Sequence, residues 1–206
     1  AGTDVKARIG RLHAIATTLA VYPIEARARL LALMAGKPAF AVARAELLRA
    51  LRAATHETAA TATVTTPYTR GERLLLASDV RTSALTLDAF MREAPTDPRI
   101  DKLARGALAG RRRGRWTSTQ DNLAVLSAMR RYFDTYERAV PAFTGKLWVG
   151  QAGYAERAFA GRSADRAQAQ LGWAALGAGG RHDLALVKDG PGRMYYRVGI
   201  TYAPRQ

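Results

Sequence analysis

Cysteine is absent from this sequence of 206 residues. Its absence excludes disulfide bonds, thiolate metal ligands and a cysteine nucleophile within these residues. Acidic residues are also scarce, with 17 Asp and Glu against 32 Lys and Arg, which gives a formal net charge of +15. No apolar stretch approaches the roughly 18 residues that a membrane-spanning helix needs, and the start of the chain lacks the features of a secretory signal. If this chain is part of a longer protein, its parent protein, and that protein is exported, we expect the secretory signal to lie upstream of Ala1.

No constellation of catalytic or metal-binding side chains is recognisable. The three histidines stand apart, without a second histidine or an acidic partner at helical spacing: His13, His56 and His182. Ser118 and Ser163 have no evident base, and Gly190-Pro191-Gly192 lacks the following helix and the Gly-Lys-Ser/Thr element of a phosphate loop. We therefore predict no catalytic, cofactor-binding or metal-binding residue, no cofactor, and a protein that is not an enzyme.

The strong positive charge suggests an alternative function, a basic helical module that binds nucleic acid or another polyanion. Arginines occur from Arg8 to Arg205, which favours ordinary solvated charge over a dedicated surface. The densest cluster is RRRGRW at residues 111–116, where an aromatic ring beside arginines could stack on a base. We favour a structural role, because cations stabilise a helix C-terminus and Trp116 can fold back onto a helical hairpin.

The first two thirds of the chain follow a helical period. Five apolar residues recur at helical spacing and predict one buried face: Leu76, Val80, Ala84, Leu87 and Met91. The predicted helices span residues 4–21, 24–35, 40–54, 72–93 and 98–109. Asp97 is the predicted N-cap of the last of these, with Pro98 as its first helical residue. The β-branched run at residues 61–68 predicts an extended segment that crosses the helices.

A final helix is predicted after Trp116. Thr117 and Gln120 fit a T-x-x-Q capping box at its start. Its predicted apolar face comprises four residues: Leu123, Leu126, Met129 and Phe133. Helical hairpins of this kind also occur in terpene cyclases and polysaccharide lyases, but no Asp-x-Asp-Asp motif or pair of carboxylates in a suitable loop supports an enzyme of that type.

After Pro141 the apolar period changes to two. Strands are predicted at residues 143–149 and 154–159, and around Leu171 and Trp173. A hairpin is predicted from residues 184–188 through the turn 189–192 to a strand at 194–202. The fold class that follows is α+β, with antiparallel α-hairpins followed by a small antiparallel β domain. We place the boundary between residues 1–139 and 140–206.

Several segments carry a family resemblance. DPRIDKLARG at residues 97–106, followed by RRRGRWTSTQDNL at 111–123, resembles the last hairpins of the thioester domain in bacterial alpha-2-macroglobulins. SDVRT at 78–82 and KDGPGRMYYR at 188–197 are also similar to segments of that family. The resemblance covers roughly residues 74–204, and for residues 1–68 it rests on helical character alone.

The resemblance implies a function for the parent protein. Such proteins are endopeptidase inhibitors whose bait region is cut by an attacking protease, and the resulting rearrangement traps the enzyme, often through a Cys-Gln thioester. It also implies that residues 1–139 are part of a helical, thioester-like α/α toroid and residues 140–206 part of a CUB-like β region. Because this chain has no cysteine, the thioester motif either precedes Ala1 or is lacking in the parent. Gln120 matches the capping glutamine of the final hairpin, not the thioester glutamine.

The resemblance further implies partners and a location. The expected partners are the other domains of the same parent chain and, through the whole parent, the trapped proteases. Nucleic acid is not an expected partner, and this piece contains no membrane span. The expected location of the parent is the bacterial periplasm or cell envelope.

Overall fold

The computed structural model describes residues 7–11, 14, 22–74, 76–163, 165–176 and 180–201. Within them the chain is α+β, which confirms the predicted class. Residues 7–11 and 14 are helical, and the rest of the predicted helix 4–21 lies outside the described residues. The helices are α1 Ile24–Met34, α2 Ala41–Ala53, α3 Arg70–Leu74, α4 Asp79–Glu93, α5 Arg99–Ala109, α6 Thr119–Tyr136 and α7 Trp173–Leu176. The strands are β1 Thr55–Glu57, β2 Ala62–Val64, β3 Ala142–Val149, β4 Ala152–Ala160 and β5 Leu184–Asp189.

The chain forms two compact units that divide between Phe133 and Asp134. We call them the helical unit and the sheet unit. The assignment of residues 1–139 and 140–206 to a toroid and a CUB-like region stays a prediction.

Helix α4 is the centre of the helical unit, where α1, α2, α5 and β2 pack around it. The predicted apolar stripe is buried at Ala84, Leu87 and Met91. Thr82 and Thr86 are also fully buried on this helix. A helix surrounded on most sides by other elements must bury more than one face, so small polar side chains enter the core beside the apolar stripe.

The predicted helix 72–93 is wrong as a single element. Leu76 has a positive φ of 57° and is 55% exposed, so the helix that ends at Leu74 does not continue through it. A left-handed residue interrupts the helical hydrogen-bond pattern. Helix α4 then starts afresh, because the Ser78 side chain accepts a hydrogen bond from the N–H of Arg81.

The extended crossing predicted at residues 61–68 is confirmed by β2, which packs against both α4 and α5. Ala62 and Val64 are buried in this strand. The approach to α5 is close at Gly106, where an added Cβ would lie 2.1 Å from the carbonyl oxygen of Ala62. Only glycine allows the strand and the helix backbone to come this near.

Helix α6 begins within one residue of its predicted start, but its cap and its buried face both differ from the prediction. Ser118 and Asp121 form the capping box, since each accepts a hydrogen bond from the N–H of the other. Thr117 and Gln120 are exposed instead. The register is therefore shifted by one residue, because an Asp three residues after Ser serves the role that we assigned to Gln120.

The predicted apolar face of α6 is mostly on the outside of the helical unit. Leu123, Leu126 and Phe133 are 63%, 59% and 46% exposed, and only Met129 of the predicted stripe is buried. The residues that face the core are Asp121, Val125, Ala128, Met129 and Tyr132. The helix has two apolar stripes, and the one that contains Val125, Ala128, Met129 and Tyr132 packs inward.

The sheet unit contains an antiparallel sheet in the order β4-β3-β5. Strands β3 and β4 match the predicted strands 143–149 and 154–159 within a few residues. Phe143 lies directly opposite Phe159, with ring centroids 5.2 Å apart. This cross-strand pair is the apolar centre of a sheet whose other described residues are largely exposed.

Two strand predictions are wrong in the sheet unit. Residues 193–201 have no regular secondary structure, and residue 202 lies outside the described residues. Strand β5 pairs with β3 instead, while Met194 lies against Gly145. After the turn, the chain lies against β3 at Met194, and its described residues 193–201 form no strand with β5. Trp173 begins the short helix α7, because the alanines that follow it favour helix over strand.

Candidate interaction surface

The arginine cluster forms a tight turn between α5 and α6. Arg112 and Arg115 exchange two backbone hydrogen bonds, from N–H to carbonyl, at 2.9 and 3.2 Å. The two central residues both have positive φ, 52° at Arg113 and 83° at Gly114. This is the pattern of a type I′ hairpin turn, which favours Asn or Gly at both central positions. We call residues 111–115 the arginine turn.

Trp116 anchors the arginine turn to the helical unit. Its side chain is only 7% exposed, and its Nε1–H donates to the carbonyl oxygen of Ala107 at 2.8 Å. This confirms that Trp116 folds back onto the preceding helix. The Asn122 side-chain amide donates to the carbonyl oxygens of Trp116 and Ser118, at 3.1 and 2.6 Å. The turn is thus fixed to α5 by the Trp116 side chain, which binds a backbone carbonyl of that helix, and to α6 by the Asn122 side chain, which binds the Trp116 backbone.

The start of α6 is joined to the start of α4 through one buried carboxylate. Asp121 is 2% exposed and accepts hydrogen bonds from the Ser78 hydroxyl and from the N–H of Ser118. Ser78 is itself the N-cap of α4. A carboxylate near two helix N-termini is stabilised by both helix dipoles and satisfies donors that would otherwise be buried without a partner. This link places α6, and with it the base of the arginine turn, relative to the central helix.

Elsewhere in the helical unit, basic side chains join one element to another. Cross-element ion pairs connect α1 to α4, α2 to α4, α2 to the start of α5, α4 to α6, and α5 to β1: Arg81 with Glu25, Arg44 with Glu93, Arg52 with Asp97, Arg131 with Asp88, and Lys102 with Glu57. These basic side chains of the helical unit therefore serve contacts between its own elements. This distribution does not favour the alternative of a broad polyanion-binding face.

Asp97 shows how firmly one such contact is held. Its side chain is 1% exposed, accepts the Arg99 N–H at 3.0 Å as an N-cap does, and pairs with Arg52 at 2.8 Å. Burial acts to raise the pKa of this carboxyl, but the hydrogen bonds from Arg99 and Arg52 outweigh burial and hold that pKa below its ordinary value of 3.8. The predicted capping role of Asp97 is confirmed.

The arginine turn differs from these internal arginines. Arg112, Arg113 and Arg115 are exposed, and in the described part of the chain none of them forms an ion pair. Arg111 lies over the Trp116 ring, with its guanidinium carbon 6.0 Å from the ring centroid. Three guanidinium groups on a rigid two-residue turn can therefore meet an external anion.

The described residues that the sequence offered as candidates for chemistry have ordinary structural positions. His56 lies exposed in β1, His182 is exposed in the sheet unit, and His13 lies outside the described residues. Ser163 accepts a hydrogen bond from the N–H of Asp165. Gly190 and Gly192 belong to a turn that packs on Pro141, Ala142 and Phe143.

Two further features are absent from the described residues. These residues contain no group of three or more His, Cys, Asp or Glu side chains placed to hold a metal ion. Among the same residues, none of the helices combines the length and the apolar character that a membrane crossing requires.

Comparison with curated proteins finds one relevant similarity. The chain is 29% identical over 157 residues to a protein named Alpha-2-macroglobulin homolog from Nostoc sp. (strain PCC 7120 / SAG 25.82 / UTEX 2576). The alignment covers 76% of this chain and 8% of that relative, so the chain spans less than a tenth of the relative's length. No protein-family model matches the sequence. The similarity is a weak link to the alpha-2-macroglobulin family.

Proposed function

We propose that this chain is a non-catalytic scaffold segment of a longer alpha-2-macroglobulin-like endopeptidase inhibitor, which traps proteases after they cut its bait region. The observation that carries the proposal is the 29% identity over 157 residues to the Nostoc protein. The order of elements agrees with it, since helical hairpins precede a small antiparallel sheet. In this proposal the helical unit belongs to the thioester-like toroid and the sheet unit to the CUB-like region.

The role of the helical unit is mechanical. Ion pairs join its central helix to α1, α2 and α6, and β2 lies in backbone contact with α5. An array cross-linked in this way moves as a body and does not bend. Cleavage of the bait removes a restraint on the resting state, and the population shifts to a second arrangement in which this body has moved.

The proposal includes the surroundings of the parent protein. Its partners are the other domains of the same chain and the captured proteases, and its location is the bacterial periplasm or cell envelope. The captured protease keeps a functional active site, because trapping excludes large substrates by enclosure.

Substrate size provides the test. The full-length parent protein is incubated with an endopeptidase that cuts it, and the residual activity is measured on a short peptide substrate and on a large protein substrate. We expect the peptide to be hydrolysed at nearly the rate of the free protease, and hydrolysis of the protein substrate to fall at least tenfold. Equal rates on both substrates, or equal inhibition of both, would contradict trapping.

The scaffold role needs a separate measurement. Distance labels at Arg105 in α5 and Arg157 in β4 should change separation when the bait is cut, and an unchanged separation refutes a movement of the helical unit relative to the sheet unit. Both positions are exposed and form no ion pair in the described part of the chain. Asp88 is a poorer position, because it pairs with Arg92 and Arg131.

A further inference from the structure

The arginine turn carries two features that oppose its own stability. Arg113 adopts a positive φ, which is unfavourable for a residue with a long side chain and which Asn or Gly would adopt more readily. Arg112 and Arg115 lie directly opposite each other, so two like charges share one face of the turn. Unfavourable backbone conformations and repelling charges persist where the surroundings enforce them and where the side chains have a role. Here Trp116 and Asn122 enforce the conformation.

We propose that the arginine turn is a docking surface for a carboxylate-rich protein segment. The planar guanidinium group matches a carboxylate with two parallel hydrogen bonds, and a partner anion between Arg112 and Arg115 would relieve their repulsion. Arg113 projects a third guanidinium from the same rigid turn. The site is preformed, so a partner is not required to order it.

The same turn is poorly suited to two other anionic partners. Binding of single-stranded nucleic acid uses exposed aromatic rings on which bases stack, but Trp116 is buried and its indole N–H is bonded to Ala107. Residues 111–115 contain no apolar side chain that could enter a membrane. A segment rich in Glu or Asp requires neither an aromatic platform nor an apolar anchor.

The test is a nuclear magnetic resonance titration of the full 206-residue chain with a hexaglutamate peptide at physiological salt. The chain has three tryptophans, so the indole N–H of Trp116 is a resolved reporter beside those of Trp148 and Trp173. We expect saturable shifts of Trp116 and of the amides at residues 111–115, while the indole signals of Trp148 and Trp173 stay in place.

Two variants separate docking from general charge. Arg113→Asn should weaken peptide binding by about two- to fivefold, the effect of one exposed ion pair, and should leave the protein at least as stable because Asn accepts positive φ. Arg157→Gln removes the same charge from an exposed position in β4 and should change the affinity less than twofold. If both variants weaken binding equally, the turn is not a specific site and the proposal fails.

Competing anions complete the test. A single-stranded DNA oligonucleotide and vesicles that contain phosphatidylserine are titrated under the same conditions. If either of them shifts the arginine turn at lower concentration than hexaglutamate does, the proposal of a carboxylate-rich partner is overturned in favour of that anion. This inference does not rest on the protease-trapping function, so failure of one leaves the other standing.

Discussion

Replacing Gly106 with alanine should destabilise the helical unit through a single methyl group. The added Cβ would lie 2.1 Å from the carbonyl oxygen of Ala62, 3.1 Å from its carbonyl carbon and 3.3 Å from the Thr63 methyl. Two of these three atoms belong to the backbone of β2, so a side-chain rotation cannot relieve the clash. The strand has to move away from α5 by more than 1 Å to reach ordinary contact distance.

Two opposing effects determine how far Gly106→Ala changes the free energy of unfolding. Alanine is favoured over glycine inside a helix by about 1 kcal/mol. Overpacking in a well-packed core costs about 1 to 3 kcal/mol. Displacement of β2 also strains the buried hydrogen bond that the N–H of Val64 donates to the Ser83 hydroxyl at 2.8 Å. Loss of that hydrogen bond would cost about 1 to 3 kcal/mol more. We expect Gly106→Ala to lower the free energy of unfolding by about 2 kcal/mol.

Gly71 in α3 is a matched control, because it is also a helical glycine and an added Cβ there meets nothing within 4 Å. Urea unfolding of the 206-residue protein, followed by helical circular dichroism, compares the two variants. Gly71→Ala should unfold at the same or a higher urea concentration than the parent sequence, by at most about 1 kcal/mol of stabilisation. If Gly106→Ala is as stable as Gly71→Ala, the close approach of β2 to α5 is not present in solution.

Three further outcomes are expected. Asp97→Asn should cost about 2 kcal/mol at pH 7, because the buried carboxylate loses charged hydrogen bonds. Since the folded-state pKa of Asp97 lies below 3.8, this stabilisation is complete above that value and is lost as the pH falls through the lower folded pKa, so the gap between variant and parent in urea unfolding should narrow in acid. Ser118→Ala should lower thermal stability by about 1 kcal/mol and Thr117→Ala by less than about half of that. A larger loss for Thr117→Ala than for Ser118→Ala would support the capping box predicted from the sequence. Met129→Ala should cost about 2 to 3 kcal/mol, whereas Leu126→Ala should be nearly neutral, and equal losses in chemical denaturation would show that both helix faces are covered.

The sequence predicted the helices of the helical unit well where one period dominates. Residues 24–35, 40–54 and 98–109 follow the observed helices α1, α2 and α5 closely, because apolar spacing and Pro or Gly breaks act locally. The buried face of α6 could not be predicted in this way. Both Leu126 and Val125 belong to an apolar stripe, and only the arrangement of the neighbouring helices decides which stripe is buried.

The sheet unit illustrates why strands are harder to predict than helices. Met194, Val198 and Ile200 alternate as a strand would, yet no strand forms among the described residues 193–201. Alternation states that a segment can form a strand, and a free neighbouring edge is also required. Here β5 is an edge strand of the described sheet, yet Met194 lies against Gly145 of β3, so alternation and an available edge together did not determine the path of this segment.

The basic composition of the arginine turn could be read from the sequence, but its backbone conformation could not. The segment RRRGRW indicates a basic cluster, and the apolar ring of Trp116 predicts that this side chain packs back onto the preceding helix. The positive φ of Arg113 had no signal, since Arg is not a residue that favours the first central position of a type I′ turn. The roles of Asp121 and Asn122 were also missed, because each depends on a partner fixed by the fold.

The carboxylate shared by the starts of α4 and α6 has a consequence for how the helical unit opens. Fraying usually begins independently at each helix end, with amide protons of the first turn exchanging at small opening free energies. Asp121 bonds both to Ser78, which caps α4, and to Ser118, which caps α6. When the first turn of either helix opens, the other first turn loses a hydrogen bond through Asp121. The amide protons of the two first turns should therefore exchange as one cooperative group. For the same reason, the start of α6 should not unfold while the start of α4 stays intact.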